Sequence, residues 1–246
     1  MEYQLEHFYT GLKKLEIDLS EEQMQQFIIY YEMLIAKNKV MNLTTITEFD
    51  EVVEKHFLDS LSLVVQIDLH QQLKILDLGT GAGFPGIPLK IAFPELEIVL
   101  MDSLNKRVNF LNEVIESLKL TKITAVHGRA EEMAHKSEYR EKFDLCVSRA
   151  VANLASLSEY CLPFVKINGT FISYKSGKIE EELSQAKNAI FIVGGETAEL
   201  KKFHLVDTQV ERSFVSIRKV KKTPKLYPRK PGTPSKEPIS SIPNKH

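Results

Sequence analysis

Cysteine is nearly absent. Only Cys146 and Cys161 occur in 246 residues, each inside an apolar stretch and without Cys-x-x-Cys spacing. Neither a disulfide scaffold nor a zinc site is therefore indicated, and both thiols are expected to be inert core side chains. No apolar run approaches the roughly 18 residues needed to span a bilayer, and the opening MEYQLEHFYT lacks the basic-then-apolar pattern of a secretory leader, which leads to the expectation of a cytoplasmic protein. The seven histidines form no His-Glu-x-x-His. His56 and Ser60 share a helix face, but a packed or solvated imidazole is the commoner reason for such a placement. Net charge is also almost absent, at -1, yet the average conceals an asymmetry. From Arg218 onward nine Lys or Arg face the single acid Glu237, which leaves an acidic body carrying a basic arm.

What is present is the composition of an ordinary globular protein, 43% hydrophobic and 26% charged, with length for one main domain and a small appendage. Leu5, Phe8, Leu12 and Leu15 recur at helical spacing, and Ser20 followed by Gln23 reads as a capping box opening a second helix to Asn38. Thr47 with Asp50 is expected to cap a third helix bearing Val52, Val53, Phe57, Leu61 and Val64. Residues 1–70 thus read as a helical cap. Strands then alternate with helices: strands at 74–78, 97–101, 123–127, 143–147 and 169–174, helices at 86–93, 105–118, 154–162 and 179–191. Such alternation predicts an α/β Rossmann-like sheet over residues 71–220, mostly parallel, with two further strands near 202–205 and 213–219. Residues 221–246, proline-rich and basic, are expected to be extended or disordered unless something acidic orders them.

Leu76-Asp77-Leu78-Gly79-Thr80-Gly81-Ala82-Gly83-Phe84-Pro85-Gly86 follows a strand and opens a helix, at the carboxyl edge where parallel sheets bind ligands. Glycines 79, 81 and 83 allow close backbone approach and positive φ. Read from Gly79, a dinucleotide fingerprint would need glycine where Phe84 stands; read from Gly81, the spacing fits, so NAD or FAD stays open on the motif alone. Asp102 ends the second strand, where a carboxylate can accept from both hydroxyls of an adenosine ribose or cap the following helix. Ala130 and Glu131 follow the third strand, Glu131 as a cofactor contact or a surface charge. Arg149 ends the fourth, at the mouth of the sheet or in an ion pair with a carboxylate such as Asp77.

At these residues the chain resembles class I S-adenosylmethionine (SAM) methyltransferases, and more narrowly the bacterial glucose-inhibited division protein B family of 16S ribosomal RNA guanine-N7 methyltransferases. The resemblance runs through Asn42-Leu43-Thr44, Lys55-His56-Phe57-Leu58-Asp59-Ser60, the glycine turn, Asp102-Ser103-Leu104-Asn105-Lys106-Arg107, Arg129-Ala130-Glu131, Ser148-Arg149-Ala150 and Tyr227-Pro228-Arg229-Lys230-Pro231-Gly232-Thr233-Pro234. It implies SAM as cofactor, contacts at Gly79, Phe84, Ala130, Glu131 and Arg149, and Lys175 near the nucleotide. Together with the reading of the residues it gives a cofactor set of Asp77, Gly79, Gly81, Gly83, Phe84, Asp102, Ala130, Glu131 and Arg149, with Arg149 and Lys175 orienting a guanine. The partner it implies is 16S rRNA or the small ribosomal subunit; separately, a monomer is expected.

Guanine N7 carries a free lone pair, so methylating it needs no base, in keeping with the lack of an evident His or Asp dyad. Asn/Asp-Pro-Pro-Tyr, expected of an amino-group methyltransferase, is replaced after the fourth strand by Ser148-Arg149-Ala150-Val151. A small-molecule methyltransferase on the same core, and a non-catalytic nucleotide- or RNA-binding regulator, are the competing readings.

Overall fold

The computed structural model describes residues 3–149, 151–177, 179–196, 199–205 and 208–239; Ala150 and the end of the basic tail lie outside the described residues. Two helices open the chain, α1 (Glu6–Lys14) and α2 (Glu21–Met41). The capping box at α2 forms: Ser20 Oγ accepts from the Gln23 N–H, and Gln23 Oε1 accepts from the Ser20 N–H at 2.8 Å. The Gln23 amide also donates to the Ile91 carbonyl at 2.7 Å, so one side chain both starts the helix and ties it to the next layer. The third helix differs from expectation. It begins as α3 (Phe49–Val52) behind Glu48, with no side chain capping it, and runs on through a π-helical turn (Val53–Leu58), α4 (Asp59–Leu61) and a 3₁₀ turn (Ser62–Val65).

Then follow β1 (Lys74–Leu78), α5 (Gly86–Ala92), β2 (Glu97–Asp102), α6 (Asn105–Ser117), β3 (Ile123–His127), α7 (Ala130–Met133), β4 (Phe143–Arg149), α8 (Leu154–Cys161), β5 (Val165–Ser176), α9 (Glu180–Ile192), β6 (Glu199–His204), β7 (Glu211–Arg218) and α10 (Thr233–Lys236). The strands form one sheet in the order β3-β2-β1-β4-β5-β7-β6. β1 to β5 run parallel, and β7 pairs antiparallel with both β5 and β6. Chain order reverses between β1 and β4, which opens a crevice at the carboxyl edge there.

Successive side chains of each strand feed opposite faces, so both faces must be covered. On one face Ile75, Ile98, Val147 and Ile172 join a cluster that takes in Phe8, Phe27, Tyr30 and Phe57 of the helical cap. On the other, Leu76, Val99, Cys146 and Phe171 pack with Leu157, Cys161 and Ile190 of α8 and α9. The helical cap is therefore a covering layer of the sheet.

The basic segment after Val220 is packed down, and acids order it. Thr223 N–H donates to Glu141 at 2.8 Å, Gly232 N–H donates to Glu131 at 2.9 Å, and Arg229 grips Glu159 through both oxygens. Prolines supply no N–H, but the carbonyls of such a segment still need donors. Arg140 provides them, donating to the Thr223 and Tyr227 carbonyls at 2.9 and 3.0 Å. Among the described residues no helix is long and apolar enough to cross a membrane.

Candidate functional site

The glycine turn leaves β1 with its backbone already satisfied: the Gly79 and Thr80 N–H groups both donate to the Met101 carbonyl, at 2.8 and 3.2 Å. Gly79 and Gly81 hold φ of 71° and 63°, left-handed values that a side chain resists. A Cβ on Gly79 would also meet Val151 at 2.6 Å, whereas one on Gly81 would meet nothing within 4 Å. Asp77 sits beneath, fully buried. It accepts from Thr80 Oγ1 at 2.6 Å and from the Gly86 N–H at 2.8 Å, where α5 begins. Burial pushes its carboxyl up to about 6, against these two hydrogen bonds, which hold the turn to the helix.

Asp102, at the end of β2, is almost fully buried and does three things. It accepts from the Gly81 N–H at 3.0 Å, caps the following turn through the Leu104 N–H at 2.9 Å, and meets Arg107 at 3.3 Å. Asp102 thus ties down the turn before α6, which itself has no side-chain cap, and lies at the cleft. The cavity beside it, about 480 Å³, is walled by Leu78, Gly79, Met101, Asp102, Ala130 and Glu131 among others. Arg107, Tyr160, Gly232 and Ser235 also line it, and sequence reasoning assigned a role to none of them. Arg107 and Gly232 stand within segments that carry the family resemblance; Tyr160 and Ser235 carry no local signal.

The other expected residues lie apart from that cavity. Gly83 (φ 109°) packs under Ile87 and the Tyr30 hydroxyl. The Phe84 ring turns into the helical cap, 4.6 Å from the His56 ring and 5.4 Å from Tyr30. Arg149 lies over the same ring at 5.0 Å and pairs with Asp59 at 2.8 Å, so its carboxylate partner comes from the helical cap and is not Asp77. Asp59 also holds Arg212 at 2.9 Å. His56 faces Arg149 at 3.4 Å and Thr44 Oγ1 at 2.9 Å; burial and the Arg149 charge push it down to about 4, so it is neutral.

Lys175 donates to the Ala152 carbonyl at 2.8 Å and pairs with Glu182 at 2.6 Å. Arg149 is in register with Tyr174, and successive residues of a strand point to opposite faces. Arg149 and Lys175 therefore share one edge of the sheet but sit on opposite faces, toward the helical cap and toward α9. Among the described residues no cluster suited to a metal ion occurs.

The model of the family described as rRNA small subunit methyltransferase G (GidB) matches residues 23–215. The ribosomal RNA small subunit methyltransferase G of Lachnoclostridium phytofermentans is 58% identical over 232 residues, 94% of this chain and 96% of that one. The protein of that name from Bacillus subtilis is 47% identical over 235 residues, 96% of this chain and 98% of that one. Among solved structures, a SAM-dependent O-methyltransferase of Thermotoga maritima superposes with TM-score 0.51 at 14% identity, covering 78% of this chain and 72% of that one. A SAM-dependent methyltransferase of Aquifex aeolicus gives TM-score 0.51 at 16% identity, covering 68% and 92%. These two bear on the fold alone.

Proposed function

Because the chain belongs to the rRNA small subunit methyltransferase G family, a SAM-dependent family acting on small-subunit ribosomal RNA, we propose that it methylates N7 of a guanine in that RNA, as a monomer in the cytoplasm. The observation that carries the cofactor part is the juxtaposition of the Gly79 backbone with the Asp102 carboxylate on one crevice at the β1–β2 edge, the Gly81 N–H holding that carboxylate. The crevice suits an adenosyl group: its volume lies within the range of small-ligand sites, with apolar walls at Leu78, Met101 and Tyr160 and polar groups at Asp102, Arg107 and Glu131. Gly79 would admit the ligand against backbone, Asp102 would accept from ribose hydroxyls, and Ala130 with Glu131 lies two strands across the sheet from Gly79. When bound, SAM supplies an electrophilic methyl on a sulfonium. Asp77 and Phe84 would act on the cofactor site from beneath, by fixing the turn that Gly81 and Gly83 shape.

The choice of N7 agrees with the groups at the mouth. Asp59 is committed to two arginines and Glu182 to Lys175, while burial and the Arg149 charge lower the basicity of His56. N7 carries a free lone pair and needs no base. What Arg149 and Lys175 can do is present two cations from opposite faces of the edge to hold a guanine or its phosphate in line for transfer. The test is to incubate the protein with methyl-labelled SAM and small-subunit RNA or subunits and map the product. A single N7-methylguanine is expected; label on another atom, or none, refutes the reading.

A further inference from the structure

The tail segment lies outside the part matched by the family model, which ends at residue 215, yet two of its residues line the cavity that holds Gly79 and Asp102. Gly232 reaches it through a left-handed turn (φ 82°) and gives its N–H to Glu131, itself a cavity residue. Ser235, three residues on, meets the Tyr160 hydroxyl at the same rim. The segment is anchored on either side of these contacts: Arg229 holds the fully buried Glu159, and Ser156 Oγ donates to the Pro234 carbonyl at 2.7 Å. Both Glu159 and Ser156 belong to α8, and Glu131 to α7, so the segment bridges two helices across the crevice. The outward-facing Lys230 and Lys236 remain exposed.

We propose that residues 227–236 form a wall of the cofactor site, with Gly232 and Ser235 closing the end of the crevice remote from Gly79. This rests on the reading of that crevice as the SAM site. The physical case is that the Gly232 N–H occupies one oxygen of Glu131 and fixes that side chain at the rim. The Tyr160–Ser235 contact meanwhile bounds that end of the crevice. Binding should in turn order the wall, since a ligand touching both sides favours the closed arrangement.

The test compares the full chain with Ser235→Trp, which projects bulk from an exposed position, with Gly232→Val, and with a chain ending at Lys225. SAM affinity is measured by calorimetry, and trypsin cleavage after Lys225 and Lys236 is followed with and without saturating SAM. All three variants should bind SAM about tenfold more weakly or worse: the shortened chain loses the wall and the Gly232 N–H, a β-branched residue at 232 resists the left-handed turn, and the indole at 235 displaces the rim contact. SAM should slow tail cleavage several-fold in the intact protein. Ser235→Trp keeps the proposal testable if the other two misfold, since its thermal midpoint should match that of the parent. Unchanged affinity in folded Ser235→Trp, or cleavage indifferent to SAM, overturns the wall while leaving the cofactor reading intact. An intact chain that binds no SAM overturns both.

Discussion

Replacing Arg229 by Met removes the main compensation of a buried charge. Glu159 has no solvent exposure, and Arg229 reaches it three times through the guanidinium, Nε at 2.9 and 3.1 Å and Nη2 at 2.7 Å, and once through its own N–H at 2.7 Å. The variant leaves the carboxylate with the backbone donor alone. Stripping one partner from a buried ion pair costs about 3–5 kcal/mol, and at roughly 2–4 °C per kcal/mol for a chain of this size the midpoint should fall by roughly 6–20 °C. The lower half is the better figure, because the tail can lift and let water reach Glu159. Thermal unfolding monitored by circular dichroism measures the shift, and trypsin cleavage after Lys225 reports the lifting. Arg229→Lys should recover only part of the loss, since an ammonium cannot reproduce the two-pronged geometry. Arg229→Met with Glu159→Gln should lose less than Arg229→Met alone. A midpoint within about 1 °C of the parent, with unaltered cleavage, would show that the pair does not anchor the tail.

The folded state refuses a proton at His56 that the unfolded chain accepts, so stability is complete above pH 6.5 and drains as pH falls toward about 4. Between about pH 7.5 and about pH 4.5 the parent should lose roughly 2–3 kcal/mol relative to His56→Leu in urea titrations; a constant gap removes His56 from the acid response. Tyr30→Phe deletes a donor to the Ala82 carbonyl at 2.7 Å in a fully buried site, and should cost about 1–3 kcal/mol while weakening SAM binding through the loosened glycine turn. Equal stability would mean that the carbonyl finds another donor. Changing Lys225, Lys230 and Lys236 to Gln together should lower the slope of log affinity for small-subunit RNA against log salt by about 2–3, if each exposed lysine neutralises one phosphate. An unaltered slope assigns the RNA contacts elsewhere.

The parallel core was legible because its strands are apolar runs ended by polar turns: β1 and β3 fall at the residues read from the sequence, Lys74–Leu78 and Ile123–His127. β5 was read as 169–174 but extends over Val165–Ser176, since Asn168-Gly169 looks like a break while the Asn168 N–H in fact pairs with the Lys219 carbonyl. Strand-end reasoning led to Gly79, Asp102, Ala130 and Glu131, which do share a cavity. It could not lead to Tyr160, which lies mid-helix in α8, nor to Gly232 and Ser235, which belong to a tail whose composition argues against packing. The signal that would have found them is long-range. Glu159 lies in an apolar helix with no local cation to pair with, and its partner stands 70 residues further on. The irregular third helix was equally hidden, because nothing in Val53–Leu58 announces a π-helical turn.

One consequence of Gly232 and Ser235 lining the crevice concerns synthesis. The turn at Gly79 leaves the ribosome about 150 residues before they do, which at common elongation rates is roughly 8–30 seconds. Only late in that interval does a nascent chain hold the whole sheet, and it still lacks the tail residues of the pocket. On the proposed reading of the crevice, cofactor capture would wait until translation has passed almost every other element of the fold.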